Sequence, residues 1–183
     1  MKSLGFAVGF LAVIMIAIVI MIISLKFSNN DNAVRTKYDE RQQIVRGTGY
    51  KYSFWTVVIL QVVLCMLDAF DVNLPIKNTV LYFLVIAIGV MVHTTYCIFH
   101  DGYFGINNNP KQYYLMFVLI GLFNLFIGIL NSIQGRLFSD GKLDVPVINF
   151  ICGLMFVILG ICIAINKYIL KNEDDSEDDD EDE

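Results

Sequence analysis

The sequence predicts an all-α integral membrane protein, a five-helix bundle with its N-terminus outside and its C-terminus in the cytoplasm. Three observations lead to this fold class: the share of apolar residues, their grouping into long stretches, and the placement of Lys and Arg between the stretches. Of the 183 residues, 56% are hydrophobic. Soluble domains contain about 45–50%, so the composition indicates a chain that folds in lipid.

Five apolar stretches occupy most of the chain and cover residues 4–25, 54–70, 79–99, 113–133 and 147–170. A helix rises about 1.5 Å per residue, so about 20 apolar residues cross the roughly 30 Å of hydrocarbon in a bilayer. Each stretch therefore predicts a transmembrane helix. We divide the chain into helix 1 at 1–25, a basic cytoplasmic segment at 26–53, four helices in two hairpins at 54–170, and an acidic tail at 171–183.

The first stretch is expected to remain in the protein as a transmembrane helix. Its 22 apolar residues exceed the roughly 7–15 of an export signal, and no A-x-A cleavage site follows it. Basic loops stay in the cytoplasm, which gives the orientation. With the N-terminus outside, the nine basic residues that fall inside are Lys26, Arg35, Lys37, Arg41, Arg46, Lys51, Lys111, Lys167 and Lys171. The four that fall outside are Lys2, Lys77, Arg136 and Lys142.

The basic segment at 26–53 is the most distinctive polar part of the chain. Residues 28–32 offer N-cap candidates, residues 33–46 have the composition of a helix, and Gly47 is placed as a stop before a flexible joint at 47–49. One interpretation is a juxtamembrane helix on the bilayer surface, with its basic side chains near anionic lipid. The other interpretation is a solvated linker helix.

Polar side chains inside the predicted helices are candidates for function because each is costly in hydrocarbon. A spacing of seven residues places Gln61 and Asp68 on one face of their helix, and Asn124 and Asn131 on one face of theirs. With His93 they form a candidate intramembrane polar face. A packing seam explains such a face, with hydrogen bonds that contribute about 0.6 kcal/mol each. The alternative is a path for an ion or proton that uses Asp68 and His93.

Signatures of catalysis or of a bound cofactor are missing from the sequence. It contains no P-loop, H-E-x-x-H, G-x-S-x-G or C-x-x-C motif, and its only histidines are His93 and His100. The connections between the apolar stretches are too short for a catalytic domain. We therefore expect no enzyme activity, no cofactor, no metal and no nucleic acid partner.

Two stretches on the predicted cytoplasmic side carry motifs. The first reads Y-D-E-R-Q from Tyr38, then R-G from Arg46 and Y-K-Y-S-F from Tyr50, and the second reads D-G-Y-F-G-I-N from Asp101. They resemble segments of small, uncharacterised multi-pass membrane proteins of Gram-positive, clostridia-like bacteria, with Gly102 here in place of an alanine. The resemblance covers roughly 25 of the 183 residues. It implies the bacterial plasma membrane and no known reaction.

The same two stretches supply a candidate cytoplasmic interaction cluster. Its members are expected to meet beneath the helices, and they are Asp39, Arg41, Arg46, Asp101 and Asn107. They either fix the loop geometry and the membrane register or bind a ligand or partner.

The acidic tail has ten acids within residues 173–183, which cannot bury a core and repel one another. It is predicted to be disordered. It is either a solvated terminus or a competitor for the basic segment near anionic lipid.

These patterns favour a non-enzymatic accessory or regulatory interaction protein that contacts the lipid bilayer and a membrane protein partner. The alternative is a small ion or solute transporter or channel that uses the intramembrane polar residues.

Overall fold

The computed structural model describes residues 2–31 and 33–180, and the side chains between residues 11 and 169 except those at 12–14, 17 and 32. Within these ranges the fold has five helices, which confirms the all-α prediction: α1 Lys2–Ser28, α2 Glu40–Ala69, α3 Asn78–Phe99, α4 Pro110–Ile133 and α5 Ile148–Asp180. A hairpin of two short strands, β1 Phe138–Ser139 and β2 Lys142–Leu143, and a 3-10 turn at Val145–Val147 precede α5.

Four helices are long and apolar enough to cross a membrane. They are α2, α3, α4 and the Val145–Ile169 part of the last helical segment, and they span 22–30 residues each. At about 1.5 Å per residue this is 33–45 Å, against roughly 30 Å of hydrocarbon. In α1, the continuously described part is the shorter apolar stretch Ile18–Ser28. Large side chains such as Phe123, 64% exposed, point away from the bundle as lipid-facing residues do.

The helices pack as a row whose order differs from the chain order. α2 packs on α3, α3 on α5, α5 on α4, and α4 has a smaller contact with α1. The core lies at the centre of this row, where Ile98, Phe117, Leu159 and Ile163 meet. Gly153 allows α5 to approach α4 closely, because a Cβ there would lie 3.0 Å from the Leu125 backbone nitrogen. α1 and α2 therefore occupy opposite ends of the row.

The predicted juxtamembrane helix with a stop at Gly47 is wrong. A single helix, α2, begins at Glu40 and continues through Gly47 and Gly49 into the membrane-length segment. Asp39 begins it with a capping box, in which its carboxylate accepts from the Gln42 N–H at 2.6 Å and the Gln42 side chain accepts from the Asp39 N–H at 3.3 Å. Gly49 is buried against α3, where a Cβ would lie 3.0 Å from the His93 Nδ1 atom. This close packing offsets the roughly 1 kcal/mol that a glycine costs inside a helix.

Three helices end in the same way, with one residue in the left-handed conformation. These residues are Asp71 after α2, Asp101 after α3 and Gly135 after α4, with φ of 53°, 54° and 66°. In each case the next residue donates its N–H back to the helix, as Gly102 does to the Cys97 carbonyl at 2.8 Å. This is the Schellman arrangement, in which aspartate twice takes the position that glycine usually occupies.

The α2–α3 loop and the α4–α5 loop are joined by main-chain hydrogen bonds and an ion pair that the sequence did not predict. Asp140 and Gly141 both have positive φ and turn the chain between β1 and β2, as an Asp-Gly pair does in a two-residue hairpin. The Lys77 N–H donates to the Leu143 carbonyl at 2.9 Å, and the Lys77 ammonium contacts the Asp144 carboxylate at 2.6 Å. We call this end of the bundle, with residues 70–77 and 134–147, the hairpin end.

α5 extends to Asp180, whereas the sequence predicts a disordered tail from residue 171. The side chains of 170–180 and all of residues 181–183 lie outside the described residues. The disorder of the acidic tail therefore stays a prediction.

Candidate functional site: the polar face at the strap end

Two connecting segments interlock at the other end of the bundle. We call residues 29–39, between α1 and α2, the strap, and residues 100–109, between α3 and α4, the inner loop. The strap connects the two helices at opposite ends of the row, so it crosses the ends of the helices between them. We call this side of the molecule the strap end.

Asn107 is the residue of the inner loop that holds most of the strap. Its amide nitrogen donates to the Asp31 carboxylate at 3.0 Å and to the Arg35 carbonyl at 3.1 Å, and its amide oxygen accepts from the Lys37 N–H at 2.8 Å. The side chain is only 8% exposed. An amide that bridges three strap residues while buried fixes the strap conformation, because each bond lost would leave a polar group unpaired.

A second pair of amides was not anticipated from the sequence. Asn108 donates to the side chain of Asn29, and its own oxygen accepts from the Gly105 N–H at 2.7 Å. Asn29 and Asn108 are 2% and 7% exposed, and Ser28 beside them is fully buried. Backbone bonds reinforce the contact, from the Asn30 N–H to the Asn107 carbonyl and from the Ile106 N–H to the Lys37 carbonyl, both 2.8 Å. Neither Asn29 nor Asn108 had a motif to single it out.

Gln42 connects α2 to the inner loop. Its amide nitrogen donates to the carbonyls of Asp101 at 3.1 Å and Phe104 at 2.9 Å, while its oxygen completes the α2 capping box. The sequence placed Gln42 within a motif without assigning it a role. One side chain thus sets both the start of α2 and the position of the inner loop.

The structure brings the predicted cluster residues to one face but not into one pocket. Arg41 and Asp101 form an ion pair of 3.8 Å between exposed side chains, and Asn166 of α5 donates to the same carboxylate at 3.3 Å. Arg46 lies over the ring of Tyr38 at 4.1 Å from its centroid, a cation–π contact. Asp39 caps α2 and Asn107 holds the strap. Each of the five residues therefore has a contact within the chain, and whether the cluster also binds a ligand or partner stays a prediction.

Electrostatics on this face follow from the same contacts. The Lys37 ammonium at 2.8 Å, then Asn107 and the Ala33 N–H, lower the pKa of the Asp31 carboxyl to about 2. Burial raises the pKa of Tyr38 despite the opposing charge of Arg46. Burial also raises the pKa of Tyr103, whose ring packs against Phe104 and Phe117. Asp31 therefore stays ionised, and the two tyrosines stay neutral, at physiological pH.

The outward side of the strap is exposed and contains a depression. A depression of about 590 Å³ lies among Arg35, Thr36, Lys37, Tyr38 and Gln43. Elsewhere on this end, Ile106 is 69% exposed and Ile44 is 71% exposed. The strap end thus combines exposed apolar and basic side chains with a backbone that hydrogen bonds hold in place.

The predicted seam between Gln61 with Asp68 and Asn124 with Asn131 does not form, because α3 and α5 separate α2 from α4 in the row. Asn124 donates to the Ile120 carbonyl of its own helix at 2.9 Å, and Gln61 contacts Cys65 one turn on. Asn131 is half-buried, and its carbonyl accepts the Arg136 N–H at the end of α4.

The other intramembrane residues occupy separate places. Gln61 and Asp68 line a cavity of about 220 Å³ between α2 and α3 at the hairpin end. His93 lies near the strap end instead, with its ring stacked on Tyr50 at 4.0 Å.

Among the described residues, no group of three His, Cys, Asp or Glu side chains has a geometry that would hold a metal ion. No family model matches the chain, and no curated protein or solved structure is significantly similar to it. The fold is that of a helical protein with four membrane-length apolar helices among the described residues. Within the described part, buried side-chain amides and main-chain hydrogen bonds join the strap to the inner loop.

Proposed function

We propose that the protein is a non-enzymatic, multi-pass membrane protein that acts as an accessory or regulatory subunit, and that the strap end binds a membrane protein partner. In this proposal the N-terminus is outside, and the strap end faces the cytoplasm of a bacterium with the protein in its plasma membrane. The supporting observation is that Asn107 and Asn108 hold the strap, and Gln42 holds the inner loop, through hydrogen bonds. The side chains of Arg35, Arg41 and Ile106 on this end remain exposed. A preorganised surface loses little entropy on binding.

The length of α2 places the strap end outside the hydrocarbon. Its 30 residues extend about 45 Å, which exceeds the hydrocarbon thickness by about ten residues. Aromatic Tyr52 and Trp55 are exposed in the region where an interfacial belt is expected, so residues 40–49 lie outside the hydrocarbon, in the headgroup layer and at its aqueous edge, where a partner can reach them. Within the predicted lipid-binding segment 26–53, we propose anionic lipid contact for Lys26 and Lys51, the basic residues nearest to the apolar stretches. We also propose membership of the bacterial group that the two motifs resemble.

The experiment is co-purification from the native membrane with two matched charge variants. Arg35→Glu with Arg41→Glu reverses two cations at the strap end, and Arg136→Glu with Lys142→Glu makes the same change at the hairpin end. After crosslinking, the wild type and the hairpin-end variant are expected to retain one stoichiometric partner that the strap-end variant loses. Equal recovery from all three proteins, or no stoichiometric partner with the wild type, would contradict the proposal.

A small transporter or channel is the second candidate, supported by the cavity that contains Gln61 and Asp68. Its test is ion or proton flux into liposomes that contain the purified chain. Flux that is abolished by Asp68→Asn would favour this function over the accessory role. Asp71→Asn, a matched change of an exposed carboxylate beyond the end of α2, is the control.

A further inference from the structure

A groove of about 550 Å³ at the strap end is separate from the surface described above. It lies between the inner loop, the start of α4 and α5 around Asn166 and Lys167. Part of its wall is the bundle core, because Ile98 and Ile163, 2% and 8% exposed, line it together with Phe104. The remaining wall is polar and includes Lys111 and Lys167. The groove therefore joins an apolar side to a cationic side.

The charges in the groove favour an anion. Its one carboxylate, Asp101, is already engaged by Arg41 at 3.8 Å and by the Asn166 amide at 3.3 Å. Among the described residues, no salt bridge reaches Lys111 or Lys167. Within the described part of the chain, the two lysines outnumber the one carboxylate of the groove, which also has Arg41 beside it, so the site is positive.

The depth of the groove matches the headgroup layer. Lys111 is the second residue of α4, and Lys167 is two residues before the end of the apolar Val145–Ile169 segment. Exposed Tyr114 and Tyr168 lie within one turn of these lysines, at the position of an interfacial aromatic belt. Lysines at helix ends reach phosphates of the lipid headgroups, whereas the apolar wall suits the upper part of an acyl chain.

We propose that this groove binds one anionic glycerophospholipid, with its phosphate between Lys111 and Lys167 and the start of its acyl chain against Ile98, Phe104 and Ile163. The volume is in the range of a small-molecule site, larger than a phosphate alone needs. The proposal depends on the membrane location of the helices and not on the accessory role, so the two fail separately.

The test is native mass spectrometry of the full chain in detergent, titrated with phosphatidylglycerol. The wild type is expected to hold one phosphatidylglycerol molecule and to bind phosphatidylcholine more weakly. Lys111→Gln with Lys167→Gln should weaken phosphatidylglycerol binding roughly 10–30-fold, and Lys111→Arg with Lys167→Arg should retain it. Arg136→Gln with Lys142→Gln removes two cations at the hairpin end and should leave binding unchanged.

Three outcomes overturn the proposal. The first is an equal loss in the two glutamine variants, which would indicate non-specific surface charge. The second is displacement of the lipid by millimolar inorganic phosphate or glycerol phosphate, which would assign the groove to a free phosphate. The third is binding that appears only after deletion of residues 173–183, which would assign the groove to the acidic tail. Thermal unfolding of each variant checks its fold, and the single variants Lys111→Gln and Lys167→Gln replace the double variant if it does not fold.

Discussion

Gly102 of the inner loop lies directly against Val45 of α2. A Cβ at position 102 would lie 2.5 Å from the Val45 Cγ1 atom and 3.0 Å from its Cβ. The absence of a side chain lets the inner loop approach α2 closely enough for Gln42 to reach two loop carbonyls.

Gly102→Ala is therefore expected to destabilise the fold by about 1–3 kcal/mol, as overpacking does. Adding Val45→Ala removes the Cγ1 atom and should recover part of that loss. Unfolding by denaturant in detergent micelles measures both, as a double-mutant cycle. The control is Gly47→Ala, because a Cβ there meets no atom within 4 Å and a helical alanine should stabilise by about 1 kcal/mol. An alanine at 102 that leaves stability unchanged would contradict the close approach.

Asp31 gives the strap a dependence on pH whose sign follows from its pKa. Lys37, then Asn107 and the Ala33 N–H, lower that pKa from 3.8 to about 2 in the folded state. The ionised carboxylate therefore stabilises the fold above about pH 4, and this contribution is lost as the pH falls to about 2. Asp31→Asn should be less stable than the wild type at pH 5, with the difference closing between pH 4 and 2. Thermal unfolding of both proteins across this range measures it, and a constant difference would refute the role of the charge.

At the scale of elements, the strap is held by the inner loop rather than by its own secondary structure. Its residues 33–39 are not helical, and α1 before it contacts only α4 appreciably among the described elements. The attachment of α1 to the bundle therefore depends on the buried amides Asn29, Asn107 and Asn108 and on the bond from Ser28 to the Met116 sulfur at 3.1 Å.

Asn107→Ala should release the strap while the helices remain folded. It removes three hydrogen bonds from a buried amide, at a cost of about 2–4 kcal/mol, and leaves the Lys37 N–H unpaired. Trypsin should then cleave at Arg35 and Lys37 much faster than in the wild type, with helix content by circular dichroism unchanged. Asn73→Ala, an exposed amide at the hairpin end, is the control and should leave cleavage unchanged. Unaltered cleavage in Asn107→Ala would show that other contacts hold the strap.

The sequence predicted the helices much better than the segments that join them. Long apolar stretches follow from the solvent, so α3 and α4 lie close to their predicted positions, and α2 and α5 cover nearly all of theirs but extend further. The start of α2 was also readable, because Asp39 and Gln42 have the spacing of a capping box, yet the favourable composition of residues 33–46 outweighed it. Gly47 and Gly49 suggested a break, but Gly49 packs on α3, a tertiary effect that the local sequence does not encode, and Gly47 is an exposed glycine that the helix tolerates.

At the scale of the whole molecule, the order of the helices in the row explains why the predicted seam between α2 and α4 is wrong. No local pattern encodes which helices become neighbours, so the seam between α2 and α4 was proposed for helices that α3 and α5 keep apart. The charged side chains of the two motifs nevertheless reach one end, because both motifs lie next to helix ends on the same side. The strap connects α1 and α2, the two outermost helices of the row, and contacts the inner loop between α3 and α4 on its way.

The orientation of the protein in the membrane, with the strap end predicted to face the cytoplasm, can be tested directly. Nine of the 13 basic residues belong to the strap end under the predicted topology, which should keep that end in the cytoplasm. Single cysteines would be introduced as Ile106→Cys at the strap end and Phe138→Cys at the hairpin end, both at sites more than 60% exposed. The background chain would carry alanine at Cys65, Cys97, Cys152 and Cys162.

A membrane-impermeant maleimide applied to intact bacterial cells should label position 138 and leave position 106 unlabelled until the membrane is permeabilised. Labelling of position 106 alone in intact cells would invert the orientation and place the strap end, with its exposed Arg35 and Arg41, outside the cell. A cytoplasmic partner for that surface would then be impossible. The headgroup site between Lys111 and Lys167 would survive the inversion but would draw its lipid from the outer leaflet. The orientation therefore decides which partner and which leaflet this end of the molecule can reach.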